Sequence, residues 1–314
     1  MDKYAFKVGD FTVILRRAKD LLFILVARGQ ETQNKEASTL PLIETWEAQR
    51  LERIILFGRT KPLLIECWRS PDPSVFEEDE ELIEGTDSAL CVVKGFNLPE
   101  VNSFGLFCEV FGNLLARQLG LDTPAPCLVH LSEPFVNAVN PILGRNGLNL
   151  RPGIASGCEY FSGGYSNVVP PELSFRELEQ ATSIYAFDLL VQNPDRLPQR
   201  PNCAVRSGDF KVYDFETAFS FALLIGDVSK PWEVSRHGIG AKHLFHSALQ
   251  RNKDELNWKP FIEALKRIDE DTIDGMMEGL PQDWLDHAPK VRAHLLDVVK
   301  NARRFEFELQ RSLS

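Results

Sequence analysis

Apolar positions follow two regimes along the chain. In the first half they come in short runs: Phe11 to Leu15, Leu21 to Ala27, Lys61 to Trp68, Leu90 to Lys94 and residues 127–131. Runs of that length, rich in branched residues and bounded by polar clusters, predict strands. The first two, separated by Arg16-Arg17-Ala18-Lys19-Asp20, predict a hairpin closed by a charged turn, with a polar loop from Gln30 to Ser38 after it. Between Ile43 and Leu56, the spacing of Trp46, Leu51, Ile54 and Ile55 predicts a short amphipathic helix whose end passes into strand. Ser103 to Leu119 reads as an amphipathic helix, and the Gly, Ser and Asn content of Asn146 to Ser166 predicts a loop joining two halves. Beyond Ser174 the patterns lengthen and become helical: Phe175 to Val191, Ala241 to Leu249, Trp258 to Arg267, Asp271 to Gly279 and Ala288 to Leu309, with Pro281 placed to start a helix. The order predicts an α+β chain. Residues 1–45 form an N-terminal extension, a β-hairpin packed on the next region; 46–168 form a β-rich region; 169–314 form a helical one.

Composition narrows the class. With 314 residues, 44% hydrophobic and 25% charged, the chain is long enough for a sizeable core and cannot be disordered throughout. Its 45 acidic against 35 basic residues argue against a surface that grips nucleic acid, and no direct nucleic-acid partner is expected. The six cysteines contain no C-x-x-C pair and imply free thiols in a reducing cytoplasm. The strongest early apolar run, Leu21 to Ala27, is far shorter than the ~20 residues that span a bilayer, so a soluble, cytoplasmic protein without a membrane partner is expected. The acidic run from Glu77 to Glu81 reads as a solvated loop.

The chemistry concentrates between the apolar runs Ile184 to Val191 and Phe219 to Ile225, where Asn193-Pro194-Asp195-Arg196, Asn202 and Tyr213-Asp214-Phe215-Glu216 gather polar groups with no core role. Phosphoryl transfer needs such groups. One carboxylate sits beside the acceptor hydroxyl, and an amide and a second carboxylate hold the magnesium ions that bridge nucleotide phosphates. Asp195, Asn202 and Asp214 supply them in that order, although Asp195 in an Asn-Pro-Asp turn also suits bonding to nearby backbone. Lys94, at the end of a strand, and Glu109, in the following helix, suit the lysine–carboxylate pair that meets nucleotide phosphates. Glu216 is open between assisting the metal and facing solvent. Arg196 is read as neutralising a carboxylate or anchoring the loop, and Asp188 as a brace. His243 and His246, three apart, lack partners at ligand spacing and are read as structural.

These pieces together resemble the HipA-like kinases, relatives of protein and lipid kinases. The resemblance rests on Gly58-Arg59-Thr60-Lys61-Pro62, Val93-Lys94, Ser103-Phe104-Gly105-Leu106 with Glu109, Leu119-Gly120-Leu121, Phe187-Asp188, Asn193-Pro194-Asp195-Arg196, Asn202 and Asp214-Phe215-Glu216. It implies a two-lobed protein-kinase-like fold, with a β-rich N-terminal lobe and a helical C-terminal lobe. It also implies ATP and Mg2+ as cofactors and transfer to a serine or threonine hydroxyl of a protein acceptor. Lys94 would hold nucleotide phosphates, Glu109 would hold Lys94, Asp195 would orient the acceptor, and Asn202 and Asp214 would hold metal. The chain departs from the family pattern in three places. Arg200 stands five residues after Asp195, where the metal-binding asparagine is usual, and Asn202 stands seven after it. Glu216 replaces a glycine, and no G-x-G-x-x-G loop is present, so the turn Gly58-Arg59-Thr60 would cradle phosphates. These departures keep an alternative open: a pseudokinase acting as a nucleotide-binding or protein-interaction module.

Overall fold

Strand pairing begins within the first thirty residues. The computed structural model describes residues 3–8, 11–18, 21–28, 43–56, 58–69, 88–225 and 230–314. The chain divides into two compact units, Met1–Thr39 and Leu40–Ser314. In the first, β1 (Lys3–Val8), β2 (Phe11–Ala18) and β3 (Leu21–Arg28) form an antiparallel sheet in that order. The expected hairpin is β2 and β3, with Ala18 opposite Leu21. The unexpected strand is β1, and Gly9-Asp10 after it is the kind of glycine-containing dipeptide that hairpins favour. The expected loop at Gln30 to Ser38 and the acidic run Glu77 to Glu81 lie outside the described residues.

Five strands of the second unit close into a barrel. In spatial order they are β4 (Thr45–Ile54), β5 (Leu63–Arg69), β6 (Ser88–Lys94), β8 (Gly153–Glu159) and β7 (Pro126–Leu131), and β4 closes on β7 in parallel. Leu63, Ile65, Cys67, Cys91, Val93, Cys127, Val129 and Ala155 alternate inward and form its core. The helix α2 (Glu133–Gly144) adds Phe135, Val136, Val139 and Leu143 to the same core.

Two expectations fail here for identifiable reasons. Ile43 to Leu56 is not helical but contains β4. Register shifts between Ala48 and Arg50 and between Leu51 and Arg53 each insert a residue, so the apolar positions 48, 51 and 54 fall three apart. Two bulges thereby give a strand the spacing of a helix. Asn146 to Ser166 is not wholly loop, because β8 runs through it between β6 and β7. One of its two glycines serves packing: a Cβ on Gly157 would lie 2.7 Å from Val129 and 2.8 Å from Cys127.

Helices build the remaining core. They are α1 (Ser103–Gln118), α3 (Phe175–Leu190), α4 (His246–Arg251), α5 (Lys259–Leu265), α6 (Glu270–Met277), α7 (Ala288–Lys300) and α8 (Ala302–Arg311). Ser174 and Glu177 form a reciprocal capping box that starts α3. The long pattern from Ala288 breaks into two helices at Asn301, whose φ of −112° leaves the helical path. A hairpin of β9 (Cys203–Arg206) and β10 (Asp209–Val212) follows α3. Phe107, Phe111, Phe187, Phe215 and Phe219 are fully buried in one cluster with these helices. The fold is mixed α+β, all six cysteines are free, and no described helix is long and apolar enough to cross a membrane.

Candidate active site

Lys94 is the last residue of β6; it pairs with Ser156 of β8 while the preceding Val93 pairs with Leu63 of β5, so its side chain leaves the barrel at a fixed point. The helix α1 starts close by, where the Asn102 side chain accepts from the Gly105 N–H at 2.9 Å. That start sets Glu109 opposite Lys94. The Lys94 ammonium donates to Glu109 Oε2 at 2.9 Å, Asp214 Oδ1 at 2.7 Å and Glu216 Oε2 at 2.8 Å. All three of its protons are engaged. The Phe215 N–H also donates to Glu109 Oε2, at 3.2 Å, so the helix carboxylate holds both the lysine and the backbone between the other two acids. A close approach makes this possible: a Cβ on Gly112 of α1 would lie 2.9 Å from the Phe215 Cβ.

Three carboxylates face one ammonium, which leaves a net charge of about −2 when all are ionised. Burial works against the Lys94 charge, but Asp214, Glu109 and Glu216 outweigh it and hold its pKa well above the ordinary value. Burial also opposes the Asp214 charge, and Lys94 overcomes it, so this carboxyl is held below its usual range. Glu109 goes the other way, because burial, with Asp214 and Glu216 beside it, raises its pKa more than Lys94 lowers it. Carboxylate oxygens of Glu109, Asp214 and Glu216 lie within 4.8 Å of one another. An all-oxygen, net-negative set of that size suits a hard divalent cation such as magnesium.

A second group of residues holds the segment after α3. Asp188, fully buried, accepts from Arg196 Nε and Nη2 along one edge of the guanidinium, from Asn193 Nδ2 at 3.0 Å and from His243 Nε2 at 2.9 Å. His243 accepts the Phe245 N–H at Nδ1, which fixes the proton on Nε2 and leaves a neutral ring whose pKa burial pushes down. Asp188 stays ionised, since Arg196 and then His243 overcome its burial and lower its pKa. Arg196 also donates to the carbonyls of Asn202 and Tyr213, tying both sides of the site together. The residues read as brace and anchor hence act as one unit.

Asp195 sits at the edge of this unit. Both of its carboxylate oxygens accept from Arg200 Nη1, at 2.7 and 2.8 Å. Leu197 and Arg200 exchange backbone hydrogen bonds, which folds the residues between them into a tight turn. The turn absorbs the longer spacing and brings Asn202 back to Asp195, where its Nδ2 donates to the Asp195 carbonyl at 3.3 Å. Asn202 makes no side-chain bond to Glu109, Asp214 or Glu216 among the described residues.

The turn Gly58-Arg59-Thr60 lies beside Lys94. Gly58 has a φ of +90°, Thr60 is buried, and Arg59 pairs with Glu100 at 3.3 Å. A cavity of about 150 Å³ is lined by Arg59, Lys94, Glu100, Asn102, Gly105 and Glu216. It is smaller than the ~300 Å³ at which small-molecule pockets begin, a size for a group rather than a whole nucleotide. Sequence reasoning left Glu216 undecided and passed over Glu100, Gly112 and the Arg200 clamp. Glu216 lies two residues after Asp214, which in extended chain puts both side chains on one side, and that signal was available.

The family model of the HipA-like kinases matches residues 82–308. Among solved structures the chain is similar to the Helicobacter pylori proinflammatory kinase CtkA, at 13% identity and a TM-score of 0.35, with 79% of this chain and 94% of that one covered. No curated protein matches the chain.

Proposed function

Because the chain belongs to the HipA-like kinase family, we propose that it transfers the γ-phosphoryl group of ATP, with magnesium, to a serine or threonine hydroxyl of a protein in the cytoplasm. The observation that carries this reading is the convergence of Glu109, Asp214 and Glu216 on Lys94. In it the barrel and α1 form the first lobe and the helices after residue 168 the second. Magnesium, when bound, would neutralise charge on the nucleotide phosphates. Asp214 and Glu216 would be its carboxylate ligands, and Asn202, whose amide nitrogen is engaged at Asp195, would offer its amide oxygen. Lys94, steadied by Glu109, binds nucleotide phosphates, and Gly58, Arg59 and Thr60 line the phosphate end. Asp195 orients the acceptor hydroxyl and takes its proton. As the new bond from phosphorus to the acceptor oxygen forms, the bond to the β,γ-bridging oxygen breaks and its electron pair leaves with ADP.

Calorimetric titration with ATP, with and without magnesium, tests this reading. Micromolar binding that requires magnesium is expected, and Asp214→Ala abolishes the magnesium dependence. No binding under either condition would overturn it. The Arg200 clamp on Asp195 favours a second reading, an interaction module that performs no transfer. Phosphate incorporation into any protein acceptor, lost in Asp195→Ala, removes that reading.

A further inference from the structure

Arg200 belongs to the turn that distinguishes this chain from the family spacing, and its contacts are unusual for a structural arginine. Its Nη1 alone bonds both oxygens of Asp195, while Nε and Nη2 have no hydrogen-bond partner among the described residues. Its side chain is 45% exposed, whereas that of Asp195 is 13% exposed. Its charge is also felt by Asp214 and Glu216, so the guanidinium that pairs with the acceptor carboxylate is within electrostatic reach of the metal carboxylates. A phosphoryl group passes from the metal carboxylates toward Asp195 when Asp195 orients the acceptor and Asp214 holds metal. A guanidinium has five donors in a planar fork, and a single contact leaves most of them for phosphate oxygens.

We propose that Arg200 is a γ-phosphate ligand of this enzyme: without nucleotide it clamps Asp195, and with ATP bound it turns its fork to the γ-phosphoryl oxygens and releases the carboxylate for the acceptor. This rests on the kinase reading above. The turn from Leu197 to Arg200 is held by its own backbone bonds, so the motion requires only side-chain rotation. Two consequences follow from the shared guanidinium. Nucleotides with a γ-phosphate gain a contact that ADP lacks. Asp195 and the γ-phosphate also compete for Arg200, so neutralising Asp195 strengthens the nucleotide contact.

The test compares Mg2+–ADP with Mg2+ and the non-hydrolysable β,γ-imido analogue of ATP, by calorimetry, on the full chain. The preference of the parent protein for the analogue over ADP should fall by about 10- to 100-fold in Arg200→Gln, the worth of a charge-assisted hydrogen bond. Arg200→Lys should retain part of it. Asp195→Asn should raise analogue affinity without changing ADP affinity, and the gain should vanish in Asp195→Asn/Arg200→Gln. ADP affinity equal to the parent's in each variant shows that the fold and the metal site persist. An unchanged preference in Arg200→Gln overturns the proposal while leaving the kinase reading intact. Failure of the parent to bind either nucleotide with magnesium overturns the kinase reading, and this inference with it.

Discussion

Arg196→Met probes the buried unit beneath the site. Arg196 and Asp188 are 1% and 0% exposed, and their pairing is reinforced by Asn193 and His243 on the carboxylate. Removing one partner of such a pair leaves a buried charge with only neutral donors and costs about 3–5 kcal/mol. That is a large share of the ~5–15 kcal/mol typical of a folded domain. Urea unfolding followed by tryptophan fluorescence reports the right unit, because all five tryptophans lie beyond residue 40. Asp188→Asn/Arg196→Met should recover at least half of the loss, since the amide oxygen still accepts from His243 and no charge is stranded. The pH dependence should also change sign. In the parent the Asp188 carboxyl is held below its ordinary value, so its contribution is present at neutral pH and is lost as pH falls through its folded pKa. Without the guanidinium, burial dominates and the carboxyl rises above its unfolded value of about 3.9. The deficit of the variant should therefore shrink as pH falls from about 7 toward 4.5. A loss under about 1 kcal/mol at neutral pH, or a deficit that does not change with pH, would refute the reasoning.

Two further substitutions test the carboxylate cluster and its support. Lys94→Met leaves Glu109, Asp214 and Glu216 without their shared cation, so Mn2+ or Mg2+ alone should raise the melting temperature of the variant more than that of the parent; equal shifts would show that the three acids are not a cation site. Gly112→Ala places a Cβ 2.9 Å from the Phe215 Cβ and should cost about 1–3 kcal/mol in urea unfolding despite the gain of up to ~1 kcal/mol in helix propensity. Stability equal to the parent's would mean that Phe215 gives way freely and that the close approach does not position Asp214 and Glu216.

Legibility in the sequence followed the regularity of each element. The strand β6 and the helices α1 and α3 were readable because their apolar periodicity is unbroken and, for α3, because Ser174 and Glu177 announce its start. Bulged β4 was not, since each inserted residue shifts the side-chain parity on which a strand reading depends. The glycines and serine of β8 point to a loop when taken singly. Only the neighbouring Cys127 and Val129 show that Gly157 is small because strands crowd it. The same holds for Ala241 to Leu249, where His243 leaves the helical path, with a ψ of 145°, to bond Asp188. A tertiary contact decides that break, and the pattern of one segment cannot contain it.

The site shows the difference between counting residues and locating groups. Seven residues from Asp195 to Asn202 looked like a departure from a five-residue pattern, yet the mutual bonds of Leu197 and Arg200 fold the excess into a turn. Asn202 thus reaches Asp195 at the cost of an unusual backbone, with φ of 41°, and Asp214 follows with φ of 65°. Left-handed conformations at such residues persist when their surroundings over-determine them. Arg196 does this here, since one guanidinium donates to the carbonyl of Asn202 and to that of Tyr213, the residue before Asp214. The buried ion pair with Asp188 then has a second role beside stability. It holds the arginine that holds both loops, so loss of Arg196 should displace Asn202 and Asp214 together, whereas loss of His243, whose side chain bonds Asp188 and the backbone of Phe245 and packs on the rings of Tyr185 and Phe245 but bonds neither loop, should leave them in place. Magnesium-dependent nucleotide affinity in Arg196→Met and His243→Gln separates the two roles. Equal losses in both would mean that the loops depend on the whole buried unit and not on the arginine that spans them.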